Sequence, residues 1–263
     1  MRSITKTYCP INATTLGVVA MLLICTTTLT ALAQAPKVLV YSKTAGYHHA
    51  SIAAGIVAIK KLGAENNFEV DTTTDVKKFT DANLKQYATL IFLSPTGSGV
   101  FNDSTEKDAF KHFIERGGGY VGIHAASDFE YDWQWYGNLV GAYFKAHPKP
   151  QEAVIDVVDP NFIATKGLPN PWKRLDEWYH FSWVANNLHI LLNLEESTLD
   201  YTGAAANIKM GANHPIAWYH NFDGGRSFYT ALGHTDESYT DPLFLNHLLG
   251  GIKYAMGSKY KGK

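Results

Sequence analysis

The chain has 263 residues, of which 46% are hydrophobic, 13% aromatic and 18% charged, with a formal net charge of -1. That much apolar material supports a real core and excludes a disordered or low-complexity chain. The near-zero charge and the lack of a basic run exclude a nucleic-acid partner gripped through its phosphates.

The N-terminus reads as a secretory signal peptide over residues 1–33. Arg2 and Lys6 give a positive start, Leu16 to Leu32 is apolar but broken by threonines, and Ala31-Leu32-Ala33 fits a small-x-small cleavage pattern. The mature chain is then expected to start at Gln34, since the apolar run is short for an uncleaved anchor. Ile24 before Cys25 argues against a lipoprotein signal. The expected location is periplasmic or secreted, with no stable membrane span after cleavage. Both cysteines, Cys9 and Cys25, fall in this segment. The rest of the chain therefore has no cysteine nucleophile, cysteine metal ligand or disulfide.

Lys37 to Ser42 reads as a buried strand, followed by a loop from Lys43 to His49 and a helix from Ser51 to Leu62. Phe68 to Thr73 alternates apolar and polar, as a strand does. Asp81 to Gln86 fits a short helix, and the apolar run Ala88 to Leu93 a central strand. Asp103 to Arg116 is amphipathic: Phe110, Phe113 and Ile114 share a face, and Gly117 can end the helix. Gly119 to His124 is a fourth strand. Strands alternating with helices predict an α/β three-layer sandwich with a mainly parallel central sheet. Ligands of such sheets bind beyond the carboxyl ends of the strands. Three loops are thereby singled out, 43–49, 95–101 and 125–148.

The second half is less regular. Ala153 to Val158 and Leu188 to Leu194 read as strands, and Ile216 to His220 with Arg226 to Ala231 as a hairpin. Asp241 to Ala255 is a final helix, with Asp241 as N-cap and Pro242 at its first position. With no repeat or linker after Pro36, residues 34–263 are expected to form a single domain.

Candidate chemistry gathers at the strand ends. Gly46-Tyr-His-His49 offers His48 and His49. Gly122-Ile-His-Ala-Ala-Ser-Asp128 places His124 between small residues, as in a tight turn that presents one side chain, with Asp128 near enough in sequence to orient it. The aromatic stretch from Phe129 to Gly137, with Trp133 and Tyr136, reads either as a lid on the core or as a stacking platform for sugar rings. His147 follows. In Asp176-Glu-Trp-Tyr-His-Phe181, a hydrophobic wall beside Glu177 would raise its pKa and suit it to acid/base work, with Tyr179 close by. His214, Trp218, His234 and Glu237 complete the set. The spacing of His234 and Glu237 would put them on one face of a helical turn. No compact zinc signature is present, but distant histidines and carboxylates could hold a divalent metal ion. The absence of Gly-x-Ser-x-Gly, Gly-x-Gly-x-x-Gly and Walker patterns weighs against serine hydrolases, dinucleotide binders and P-loop proteins.

Several of these motifs resemble the ThuA-like, or trehalose-utilisation, family. They are Gly46-Tyr-His-His49, Gly117 to Ala126, Asp132-Trp with Trp135-Tyr-Gly137, His147-Pro148, Asp176 to Tyr179, His214 to Trp218, and Gly225-Arg with the run from Phe228 to Tyr239. The likeness covers roughly residues 37 to 257. It implies a flavodoxin-like fold of the class I glutamine amidotransferase type, and an association with sugar catabolism and 3-keto sugars. The position where that fold usually carries a cysteine looks like His124, so amidotransferase chemistry is not inherited.

The expectation is an exported enzyme, glycoside hydrolase- or lyase-like, acting on a small-molecule glycoside or 3-keto-glycoside. His49, His124, Asp128, Glu177 and His234 are its catalytic candidates. His48, Trp133, Tyr136, His147, Tyr179, His214, Trp218 and Glu237 would contact the sugar. The alternative is a non-catalytic sugar-binding protein of the cell envelope, against which the many titratable groups weigh.

Overall fold

Five short strands set the frame: β1 (Lys37–Tyr41), β2 (Glu69–Thr73), β3 (Thr89–Leu93), β4 (Gly119–Ile123) and, far along the chain, Gly225–Thr230. β3 and β4 are buried throughout, which is why their sequences are unbroken apolar runs rather than alternations. The computed structural model describes residues 1–8 and 35–259. The apolar run and cleavage pattern of the expected signal peptide lie outside the described residues. The chain divides at Gln34, and the sheet, its helices and the candidate site all belong to the unit Ala35–Lys263. Among the described residues no helix is long and apolar enough to cross a membrane.

Between these strands run α1 (Ile52–Asn66), α2 (Asp81–Leu84), α3 (Ser104–Glu115) and α4 (Gln134–Val140). The second half adds β5 (Ala142–Ala146), β6 (Gln151–Val157), β7 (Trp172–Asp176), β8 (His180–Val184), β9 (His189–Leu194) and β10 (Pro215–Phe222). The strand Gly225–Thr230 is therefore β11, and α5 (Pro242–Met256) closes the fold. The large sheet has the order β2-β1-β3-β4-β11-β10-β9-β6-β7, and β5 pairs with β8 apart from it. From β2 to β11 all neighbours are parallel, in the order of flavodoxin-like sheets. From β11 to β7 neighbours are antiparallel.

Neighbouring residues of β11 show the layers. Phe228 packs on Gly251 and His247 of α5, whereas the Ser227 hydroxyl donates to the Leu139 carbonyl of α4 at 2.6 Å. Side chains alternate along a strand, so α5 and α4 cover opposite faces. α1 packs with α5, and Phe110 of α3 meets Tyr136 of α4. The expected α/β sandwich is thus present. α5 starts as its sequence implies, with the Asp241 carboxylate accepting from the Leu243 N–H and Pro242 in the first turn.

Three features differ from the sequence reading. α1 continues to Asn66 and ends at Asn67, whose φ of 60° is left-handed. α4, β5, β7 and β8 appear where no element was expected. The antiparallel half also curls. β7 lies four strands from β11, about 19 Å on a flat sheet. Yet Asp176 at its end bonds the backbone just after β11, and Arg174 reaches Ser238 and Asp241 at the start of α5. The far edge therefore comes back over the carboxyl end of the parallel half.

Candidate active site

The three loops singled out from the sequence are bonded to one another at the carboxyl ends of β1, β3 and β4. The Ala45 N–H donates to the Thr96 carbonyl at 2.8 Å, the Gly97 N–H to the Asp128 carbonyl at 2.8 Å, and the Thr96 hydroxyl to the Tyr47 carbonyl at 2.7 Å. Gly97 is required here. Its φ is +83°, and a Cβ would stand 2.8 Å from the Gly46 nitrogen.

His124 follows β4 directly, with φ +50°, and opens a 3-10 turn through Ser127 lined by buried Ala125 and Ala126. This is the tight strand-to-helix turn the sequence suggested, lifting one side chain above the sheet. The ring's Nδ1 lies 2.8 Å from the Ala231 carbonyl, which places an N–H there and leaves Nε2 facing the cluster. Asp128 does not orient this ring, as was expected of it. Its carboxylate instead accepts the Tyr131 hydroxyl at 2.6 Å.

Glu177 is the hub. Its Oε2 lies 3.4 Å from His124 Nε2 and 3.2 Å from His234 Nδ1, and its Oε1 lies 3.2 Å from His147 Nδ1. His234 Nδ1 and His124 Nε2 are 3.2 Å apart. His49 stands edge-on to both rings, with centroids 4.8 and 5.4 Å away. Its Nδ1 is buried and has no hydrogen-bond partner among the described residues. His49, His124, Glu177 and His234 each bring one donor atom to within 4.8 Å of the others. Tyr179 forms a wall, 4.3 Å from His124 between ring centres, with Phe144 behind it at 4.1 Å. Tyr47, His48, Tyr131 and His147, all exposed, surround the opening.

Charge is distributed unevenly. Burial opposes the charged form of Glu177. The hydrogen bonds of His124 and His234, with the charges of His124 and His147, outweigh it and hold the carboxyl well below its usual range. The raised pKa anticipated from its aromatic neighbours is therefore overturned. The Glu177 hydrogen bond pushes His234 up. Burial, then the neighbouring His124 and His234, pulls His49 down to about 3. Burial pushes Asp128 up against the opposing Tyr131 hydrogen bond. At neutral pH the site thus holds an ionised Glu177 and a neutral His49, while burial shifts Asp128 toward its protonated form.

Asp176 had no assigned role, yet it builds the site. Fully buried, it accepts from the Glu177 and His234 N–H groups through Oδ1 at 2.9 and 3.0 Å. Through Oδ2 it accepts from Gly233 N–H at 3.1 Å and pairs with Arg174 at 3.0 Å. One carboxylate thereby sets the backbone of two cluster residues far apart in sequence. Burial alternates along Trp172-Lys-Arg-Leu-Asp176, but the buried set includes Arg174 and Asp176 and the exposed set Leu175, so residue polarity did not mark the strand that delivers it.

Other expected ligand contacts are corrected. Trp133 is buried, stacked on Trp135 at 5.2 Å and set among Phe101 and Phe110. The Tyr136 hydroxyl donates to the Ala126 carbonyl at 2.7 Å, and the Trp218 Nε1–H to the Val140 carbonyl at 2.8 Å. All three belong to the core, where large apolar bodies gain most from burial and backbone carbonyls satisfy their polar ends. Glu237 is exposed in the 3-10 turn Asp236–Thr240, outside the cluster, and makes no pair with His234 there. His48 sits at the rim, its Nδ1 3.3 Å from the Thr44 hydroxyl. His214 lies in a separate buried group with His180 and Glu196.

Residues 37–255 match the family described as trehalose utilisation, ThuA. The chain belongs to the ThuA family. That membership relates it to trehalose utilisation and carbohydrate metabolism. A ThuA-like protein from Bacteroides uniformis ATCC 8492 is 28% identical, over 87% of this chain and 95% of its own, with a TM-score of 0.70. Another ThuA-like protein, from Parabacteroides merdae ATCC 43184, is 19% identical over 87% and 92%, with a TM-score of 0.68. A β-galactosidase from Bacillus circulans shares the fold over 87% of this chain but 31% of its own, at 13% identity and a TM-score of 0.51. No curated protein matches the chain. The histidine-carboxylate cluster thus sits on a ThuA scaffold, at the strand ends where that scaffold gathers its loops.

Proposed function

We propose that this ThuA protein is an exported carbohydrate-processing enzyme that cleaves a glycoside or 3-keto-glycoside by histidine and carboxylate acid-base chemistry. The observation that carries the reading is the convergence of His124, His147 and His234 on the ionised Glu177, with neutral His49 opposite. Binding a neutral sugar requires no such concentration of titratable groups.

A ketone acidifies the carbon-hydrogen bond beside it. His234, whose proton affinity Glu177 raises, takes that proton, and the electron pair forms an enolate. The enolate collapses to a carbon-carbon double bond, and the glycosidic carbon-oxygen bond breaks. The departing oxygen takes a proton from Asp128, the carboxyl that burial pushes up. The imidazole and carboxylate donors of His49, His124, His234 and Glu177 also fit a divalent cation, which when bound would stabilise charge on the ketone oxygen. Tyr179 and Phe144 offer an apolar wall to a sugar face.

The test is incubation of the purified protein with disaccharides and their 3-keto forms, with and without a chelator, followed by mass spectrometry of the products. Cleavage lost in the Glu177→Gln and His124→Ala variants is the expected result. Its loss on chelation would assign the cluster to metal ligation, and its survival would assign it to the Glu177–His234 pair. Saturable sugar binding with no turnover would overturn the enzymatic reading in favour of a binding protein.

A further inference from the structure

A second cluster lies outside this site. His180 opens β8, Glu196 lies in the turn after β9, and His214 directly precedes β10. One donor atom from each lies within 4.8 Å of the others. The His180 and His214 side chains are fully buried, and that of Glu196 is 9% exposed.

The outer nitrogens decide how these rings are protonated. His180 Nδ1 is 3.0 Å from the Trp178 carbonyl, and His214 Nε2 is 2.9 Å from the Tyr179 carbonyl. A carbonyl oxygen only accepts, so each of these nitrogens carries a proton. In the neutral rings, His180 Nε2 and His214 Nδ1 then present lone pairs inward. His214 Nδ1 points at an acceptor: Glu196 Oε1 stands 2.8 Å from it, and 3.8 Å from His180 Nε2, to which the Tyr201 hydroxyl can donate. The Tyr201 hydroxyl stands 3.0 Å from His180 Nε2. The Met210 N–H holds the same Glu196 oxygen at 2.6 Å. The His214 lone pair and the carboxylate need positive charge between them, and the His180 lone pair stands beside them. Backbone carbonyls that fix the outer nitrogen of a ligand histidine are the usual support of metal sites.

We propose that His180 Nε2, His214 Nδ1 and Glu196 Oε1, with the Tyr201 oxygen as neighbour, form a closed binding site for a divalent cation of the zinc type. Two imidazole nitrogens and hard oxygens suit zinc, and a site shut off from solvent is structural rather than catalytic. A proton on His214 is the rival occupant. Ligands at a tetrahedral zinc stand about 3.3 Å apart, so the Glu196–His214 gap opens slightly when the cation enters. The site clamps the connection between β9 and β10 to β8. Through the Tyr179 backbone it also steadies the wall of the first cluster.

The experiment is zinc(II) titration of the metal-depleted full chain, counting bound zinc by mass spectrometry and following thermal unfolding. The expected result is one tight equivalent that survives Glu177→Gln and weakens on the order of a hundredfold in Glu196→Gln. Glu196→Gln keeps an oxygen to accept the Met210 N–H, and circular dichroism verifies its fold. Zinc should raise the melting temperature of Glu177→Gln and leave that of the double variant Glu177→Gln/Glu196→Gln unmoved. Since Glu177→Gln keeps the second cluster intact, cobalt(II) should give it the intense visible bands of a tetrahedral site. Absence of any equivalent in Glu177→Gln, or zinc binding unaffected by Glu196→Gln, would overturn the proposal and leave an imidazolium-carboxylate pair. Either result is independent of whether the first cluster turns over a sugar.

Discussion

The two histidine-carboxylate clusters are built from the same residue types and serve different ends. Around Glu177 the rim is open, and His49 keeps a buried Nδ1 without a hydrogen-bond partner among the described residues. Around Glu196 every ring nitrogen has a neighbour, and the two imidazoles are sealed from solvent. Unused bonding capacity beside an opening suits a group that must meet a substrate. Donor atoms converging in a closed pocket suit a brace. The two are strung on one short segment, since Asp176 and Glu177 serve the first and His180 the second.

The contrast can be broken most directly at the hubs. Glu177→Gln or His124→Ala should lower turnover about a thousandfold with little change in circular dichroism, the scale of a disabled general base, because each removes a partner that holds and charges the His234 site. Comparable loss in Glu196→Gln would erase the distinction between site and brace. Asp176→Ala comes next. It leaves the buried Arg174 with only its longer pair to Asp241 and its bond to Ser238, and should cost about 3–5 kcal/mol in urea unfolding, together with activity, because the Glu177 and His234 backbones lose their shared anchor.

A smaller effect separates buried histidines outside both clusters from those within. His247 is fully buried, with Nδ1 2.8 Å from the Ala164 carbonyl, and burial pulls its pKa down to about 4. The unfolded chain then binds the extra proton below pH about 6.5, whereas the folded chain resists it to about 4. Stability should therefore fall as pH drops through that window, by on the order of 3 kcal/mol for this residue. The pH dependence of unfolding in His247→Gln should be correspondingly shallower. Least of all, Tyr131→Phe should cost about 1 kcal/mol. It removes a hydrogen bond that favours the Asp128 carboxylate, so the alkaline limb of the pH-rate profile should move upward. An unmoved profile would remove Asp128 from the role of acid.

Much of the parallel half was legible in the chain. Its central strands β1, β3 and β4 are mostly apolar runs, and its loops carry glycine and histidine at their tips. His49, His124, Glu177 and His234 could be named because polar groups at strand ends have few structural reasons to be there. Their mutual geometry could not, since it depends on bonds such as His124 to Ala231 that span the chain. The antiparallel half was less visible. β7 carries Lys173 and Leu175 outward, which blurs its alternation, and β5 and β8 lie in aromatic stretches that fit a lid as readily as a strand. Trp133, Tyr136 and Trp218 were misread for a related reason. Composition cannot tell an aromatic facing a sugar from one facing a phenylalanine.

The bridge that Asp176 makes between the end of β7 and the backbone after β11 also bears on how the protein assembles. The parallel half can gather strands from nearby stretches of chain, but the first cluster cannot exist until the far edge of the sheet has come around. Its bonds join residues more than fifty positions apart, and such contacts pay their loop-closure entropy before they return any stability. Catalytic competence should therefore be among the last properties acquired during refolding and among the first surrendered in mild denaturant. An activity assay would then report unfolding of the curled edge before helix content falls.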